Sequence, residues 1–239
     1  MTSLNPPKLG TDPVRGWMYY SIHLAGSYVL KEFFLASNYR ECIAASERKI
    51  TEVGKWAVEM RSQGYHELHT HAFVGMWAAF EAGIEDTVAS VIQNDRAAAT
   101  AAVSKFKKDR YSIHAWPWTR SVCIEIAQKL DQKSKDAVIN GGIDLFGRIR
   151  NTFSWVDVSV EDDLIVSSGL AEASRMRNII VHRYGQIEGD DAIAVPALTP
   201  WIGKVMPIDP AKFDSYYKAI AGCLVALMTA MSKSRYGGT

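Results

Sequence analysis

Between positions 170 and 184 the sequence crowds Glu172, Arg175, Arg177, Asn178, His182, Arg183 and Tyr184 among the apolar residues Leu170, Ile179, Ile180 and Val181. These residue types suit phosphate chemistry. An imidazole changes charge near neutral pH, so His182 can move protons as a general acid or base. A guanidinium keeps its charge, and Arg177 can stand beside the negative charge that builds on a reacting phosphorus centre. Asn178 adds an amide that both donates and accepts. On an α-helix Asn178 and His182, four apart, share a face, and Arg177 lies about 100° round from Asn178, so the three line one shallow rim. A phosphodiester fits such a rim.

The elements that must position this rim are read from apolar spacing. Residues 162–184 read as a helix, with Gly185 as its left-handed stop. Apolar residues three and four apart predict further helices over about 14–37, 39–62, 67–93, 95–108, 119–135, 143–150 and 210–232. The 67–93 helix is apolar round most of its circumference, through Phe73, Met76, Trp77, Phe80, Ile84 and Val88, which makes Glu81 stand out. From 185 to 209 the pattern changes to alternation with Gly and Pro, at Ile193–Val195 and Val205–Met206, and predicts a small β-hairpin or an ordered loop. The expected fold is all-α, one helical domain over 14–234 behind a flexible arm at 1–13.

A net charge of +1 excludes a chain that coats nucleic acid through its global field, so any RNA contact must be local. Cys42, Cys123 and Cys223 are odd in number and set in apolar helical patterns, which predicts reduced core thiols in a reducing compartment. With no leader-like start and no apolar run long enough for a membrane span, the chain is expected in the cytoplasm, away from membranes.

Other constellations carry two readings each. His66-Glu67-x-His69-x-His71 is either a zinc site or a solvated helix start. The run Lys105-Phe-Lys107-Lys108-x-Arg110 either tracks phosphates or caps a helix in solvent. Glu81 is either a hydrogen-bonded core carboxylate or a group that orients Arg177 or His182. Trp116 and Trp118, around Pro117, are packing residues or base-stacking platforms. No glycine-rich phosphate loop, nucleophile elbow or paired-carboxylate motif appears, which removes the common nucleotide-hydrolysing and hydrolase classes, and neither a cofactor nor a metal is expected.

The phrase Arg177-Asn178-Ile-Ile-Val-His182, inside Leu170-Ala-Glu-Ala-Ser-Arg-Met-Arg-Asn-Ile-Ile-Val-His, resembles the Arg-polar-x-x-x-His motif of HEPN domains. Gly75-Met-Trp-Ala-Ala-Phe-Glu81-Ala is similar to the aromatic and acidic helix that precedes that motif in several branches, and the likeness extends over about 67–232. Arg61-Ser-Gln-Gly-Tyr-His66 has the same spacing, but Gly64 interrupts the helix there and no amide follows the arginine. The resemblance implies a HEPN-like bundle with extra N-terminal helices. It also implies a metal-independent endoribonuclease of toxin, phage-defence or RNA-processing type, acting as a homodimer on RNA, with an antitoxin or defence-system partner. On that reading Arg177, Asn178 and His182 are catalytic, Glu81, Arg183 and Tyr184 support them, and Lys105, Lys107, Lys108 and Arg175 contact RNA. Tyr184 matches the tyrosine of an Arg-x-x-x-x-His-x-Tyr variant found in toxins silenced by nucleotidylation. The alternative is a non-catalytic HEPN-like module for dimerisation and for binding a partner or nucleotide.

Overall fold

The apolar spacing resolves into helices along the chain. A computed structural model describes residues 13–46, 52–106, 111–138, 145–161 and 163–237. The expected arm, apart from Pro13, lies outside the described residues, as do Lys107, Lys108 and Arg110.

Helix α1 runs from Pro13 to Ser46 without the break expected near residue 38. No Gly or Pro stands between 27 and 46 to stop it. Ser37 turns its hydroxyl onto the Phe33 carbonyl at 3.0 Å and accepts from Arg40 at 3.0 Å, so a weak helix former is absorbed into the ladder. Helix α2, Glu52–Ser62, ends where Gly64 and Tyr65 take φ of +63° and +60°. Helices α3 (His66–Asn94) and α4 (Arg96–Val103) follow, divided by Asp95. That carboxylate accepts from the N–H groups of Ala97 and Ala98 at 2.7 and 3.2 Å, an N-cap that starts α4 afresh.

After a 3-10 turn at Ile113–Ala115 come α5 (Arg120–Val138), α6 (Leu145–Ser154) and α7 (Leu164–Arg183). A six-residue helix α8, Gly189–Ala194, and a 3-10 turn, Pro196–Trp201, lead to α9, Pro210–Lys233. The all-α expectation holds. A hairpin does not form: among the described residues there is no strand, and the 186–205 region is closed by one antiparallel bridge, Gln186 to Val205. The alternation at 193–195 is the end of α8, where an acidic first turn and backbone capping favour helix over strand. No described helix is long and apolar enough to cross a membrane.

Backbone packing divides the chain into two compact units, one of Met1–Gly26, Phe80–Leu164 and Gly222–Thr239, the other of Ser27–Ala79 and Ile165–Ala221. In the first, Phe80, Ile92, Ile126, Leu130, Phe146, Ile149 and Phe153 are buried. The indole N–H groups of Trp116 and Trp118 donate to the carbonyls of Ile92 and Ser112 at 3.0 and 3.2 Å, so both rings are tied into the fold. Cys123 and Cys223 are buried thiols, whereas Cys42, in the second unit, is exposed.

In the second unit Phe73, Met76, Leu170, Met176, Ile179, Phe213 and Tyr216 form the core, with Phe73 and Tyr216 ring to ring at 4.8 Å. Helices α7 and α9 approach so closely here that a Cβ added to Gly169 would lie 2.9 Å from that of Ala219. Neither carbon can swing aside. Gly169→Ala should therefore lower the urea midpoint, because overpacking of about 1–3 kcal/mol exceeds the helix-propensity gain of about 1 kcal/mol. Adding Ala219→Gly should relieve the clash and give a favourable coupling in the double-mutant cycle. A midpoint raised by Gly169→Ala alone would show that the helices can part.

Candidate functional site on helix α7

The polar residues of α7 fall on two sides of a buried stripe. Leu170, Ala173, Met176 and Ile179 recur at three-residue steps with no exposed surface, fixing which face the helix turns inward. Glu172, Arg175 and Arg183 lie along one edge of that stripe. Arg177, Asn178, Val181 and His182 span the adjoining solvent arc, with Asn178 and His182 exposed, Arg177 half-buried at its far margin and His182 nearly in line with Arg175 two turns earlier. Arg177 donates from a terminal nitrogen to Asn178 Oδ1 at 3.0 Å, which sets guanidinium and amide side by side on the rim. His182 stands one turn beyond Asn178. The helix that carries these residues is uninterrupted.

The other edge is consumed by ion pairs. Asp191, with 0% exposure, takes Arg175 Nε at 2.6 Å and an Arg183 terminal nitrogen at 2.7 Å on one oxygen, and the Glu188 N–H at 2.7 Å on the other. Arg183 also reaches Glu188 at 2.6 Å. Burial pushes the Asp191 carboxyl up, but the Arg183 hydrogen bond, the Glu188 N–H and Arg175 outweigh it and hold the group below its ordinary range. One turn earlier, Glu172 accepts from Lys212 Nζ at 2.8 Å and from the Tyr216 hydroxyl at 3.0 Å. Burial, reinforced by the Glu172 charge, drives the Tyr216 phenol far up, so it stays a donor. Beside this edge lies a cleft of about 800 Å³ floored by small residues such as Gly169, Ala171, Ala194 and Ala219.

The helix end departs from expectation by one residue. Tyr184, rather than Gly185, is the first left-handed residue, at φ +54°, and Gly185 follows at +85°. The Gly185 N–H donates back to the Ile179 carbonyl at 3.2 Å. A Cβ on Gly185 would lie 3.1 Å from Val205, so glycine permits both the turn and the close approach. Tyr184 is left 95% exposed in a conformation that costs a non-glycine residue roughly 1–2 kcal/mol.

Arg175 and Arg183 are both engaged by Asp191. Lys105 sets Nζ 5.5 Å from the centre of the Trp155 ring. Glu81 belongs to the first unit, where burial raises the carboxyl of Asp131, Arg148 at 3.0 Å lowers it, and Glu81 adds to the rise. His66 and His69 both direct Nδ1 at Ile208, which replaces the solvated helix start as the account of that cluster. Among the described residues no three metal-ligating side chains gather. Asp191 was missed by sequence reasoning; its one signal is the acid-x-x-acid pattern Glu188-Gly-Asp-Asp191, a capping-box spacing. No protein-family model matches the chain, and neither a curated protein nor a solved structure matches it.

Removing the buried carboxylate should loosen the end of α7. Asp191→Ala is expected to cost roughly 2–3 kcal/mol, below the ~3–5 kcal/mol of a fully buried pair because both arginines retain access to water. Since the folded carboxyl titrates below its unfolded value of about 3.9, its contribution is complete above that pH and is lost as pH falls further. Chemical denaturation of both proteins at neutral and acid pH checks this. The gap between them should close in acid, and an unchanged gap would assign the stability elsewhere.

Proposed function

We propose that this chain is an endoribonuclease of HEPN type, in which Arg177, Asn178 and His182 promote attack of an RNA 2′-hydroxyl on its own phosphate. The observation that carries the reading is the separation on α7. Glu172, Arg175 and Arg183 face acids, a lysine and a tyrosine of the fold, while Asn178 and His182 lie exposed on the solvent arc with Arg177 half-buried beside Asn178. A substrate can reach that arc.

The chemistry needs little beyond these groups. The 2′-oxygen forms a bond to phosphorus as the bond from phosphorus to the 5′-oxygen breaks. The 2′-hydroxyl gives up its proton to a base and the leaving oxygen takes one from an acid. His182 serves one of these transfers, and Arg177 lies beside the charge that grows on the non-bridging oxygens. Asn178, already bonded to Arg177, orients that cation or the phosphate. The reaction requires no metal and leaves a 2′,3′-cyclic phosphate.

One imidazole per helix leaves the second proton transfer unassigned. A convex helical rim also has only one wall. A second copy of the chain, related by a twofold axis, supplies both, and Val181, 48% exposed between the motif residues, offers apolar surface for the meeting. The cell in which such an enzyme works would need restraint by an antitoxin or a defence-system partner.

Cleavage of a short RNA by the purified protein should persist in excess EDTA, fail when the cut site carries a 2′-O-methyl group, and leave a cyclic phosphate. His182→Ala should slow it by roughly 10²- to 10⁴-fold with the circular dichroism unchanged, since the ring is exposed. Light scattering should report a dimer. Cleavage that begins only on adding magnesium, or that leaves a 3′-hydroxyl, would refute the mechanism.

A further inference from the structure

His66 and His69 lie one turn apart at the start of α3, so their rings project from the same side of the helix. They meet one residue from its two ends. The Ile208 N–H donates to His66 Nδ1 at 2.9 Å, and His69 Nδ1–H donates to the Ile208 carbonyl at 2.8 Å. The two bonds select opposite neutral tautomers, with the proton on Nε2 in His66 and on Nδ1 in His69. A proton added to His66 Nδ1 would set a donor against a donor. A proton added to His69 would go to Nε2, which is buried with no hydrogen-bond partner in a side chain of 0% exposure.

The surroundings of the pair come from every element packed on it. Glu67 lies beside His66, and the Thr70 hydroxyl is 3.3 Å from His66 Nδ1. Arg40 of α1 opposes a charge on His69, as does His66, and Asp209 favours one. Phe213 stacks on the His69 ring at 4.7 Å and 11°, and Tyr65 lies tilted at 6.1 Å. Burial outweighs the acids and holds both imidazoles below their ordinary range.

What the pair anchors is the brace of α7. Ile208 is fully buried and ends a segment that pairs with the residues just after the helix. The Ile187 N–H donates to the Lys204 carbonyl at 3.1 Å, the Gly203 N–H to the Ile187 carbonyl at 2.9 Å, and Val205 bridges Gln186. We propose that His66 and His69 form an acid-released latch, in which protonation of the pair frees Ile208 and loosens the 203–209 segment that braces the end of α7. The latch holds whether or not Arg177 and His182 cleave RNA. Because the fold favours the neutral rings, the latch is closed above the unfolded imidazole value of about 6.5 and is lost as pH falls through the lower folded values.

Amide hydrogen exchange on the full chain, from about pH 7.5 to about pH 5 and corrected for intrinsic rates, tests this. Protection at the Ile208, Ile187 and Gly203 amides should fall by about tenfold per pH unit for each proton taken up on opening, while Met176 in the middle of α7 stays protected. In His66→Asn the amide oxygen takes the place of Nδ1 without titrating, and the loss should become shallower. Imidazole nitrogen spectra should show opposite tautomers for the two rings. Protection at Ile208 that does not change with pH would overturn the proposal, as would matching tautomers or a loss equally steep in the His66→Asn, His69→Asn double variant. If the double variant does not fold, the pH series and the tautomers of the unaltered protein decide.

Discussion

A carboxylate without exposed surface sets the terms for the C-terminal half of α7. Taken alone, burying the Asp191 charge would cost several kcal/mol, so the chain surrounds it with two guanidinium groups and a backbone N–H. Those partners lie on different elements. Arg175 and Arg183 come two turns apart on α7, and Glu188 opens α8, so satisfying one charge fixes the axial position of the helix against the short helix that follows it. Positions 184 and 185 then have to turn sharply, and Tyr184 takes a left-handed conformation that a glycine would adopt more cheaply.

The same helix also carries the residues proposed to act on RNA. Its inward stripe of Leu170, Ala173, Met176 and Ile179 is apolar, its Glu172, Arg175 and Arg183 edge is neutralised by the fold, and beside that edge Asn178 and His182 are exposed with Arg177 half-buried. The brace behind the helix end depends in turn on Ile208, which is held at both its N–H and its carbonyl by side chains of α3. Rigidity in this part of the second unit is thus polar as much as apolar.

Much of this was legible in the sequence, for a physical reason: apolar residues three and four apart report which side of a helix is buried. The bounds of α3, α7 and α9, to within two residues, and the shared face of Asn178 and His182 follow from that periodicity alone. Periodicity does not report partners. Arg175 and Arg183 show no partner in the sequence until Asp191 is placed beside them, and His69 looks solvated until Ile208, 139 residues away in the chain, is found on its Nδ1. The break expected near 38 failed because Ser37 satisfies itself on the helix it was expected to end. The alternation around 193–195 misled because six residues with an acidic first turn are enough for a helix and too few to fix a period.

The proposal that one edge of α7 serves stability and the adjoining solvent arc serves cleavage is tested most directly by comparing two arginines six residues apart. Arg183→Gln and Arg177→Gln remove the same charge from the same helix, and each variant can be measured for thermal midpoint and for RNA cleavage at a temperature where both remain folded. Arg183→Gln should lower the midpoint by several degrees and keep cleavage, and Arg177→Gln should lose cleavage whatever its midpoint. Equal effects of the two substitutions on both readings, or cleavage untouched by Arg177→Gln, would contradict it.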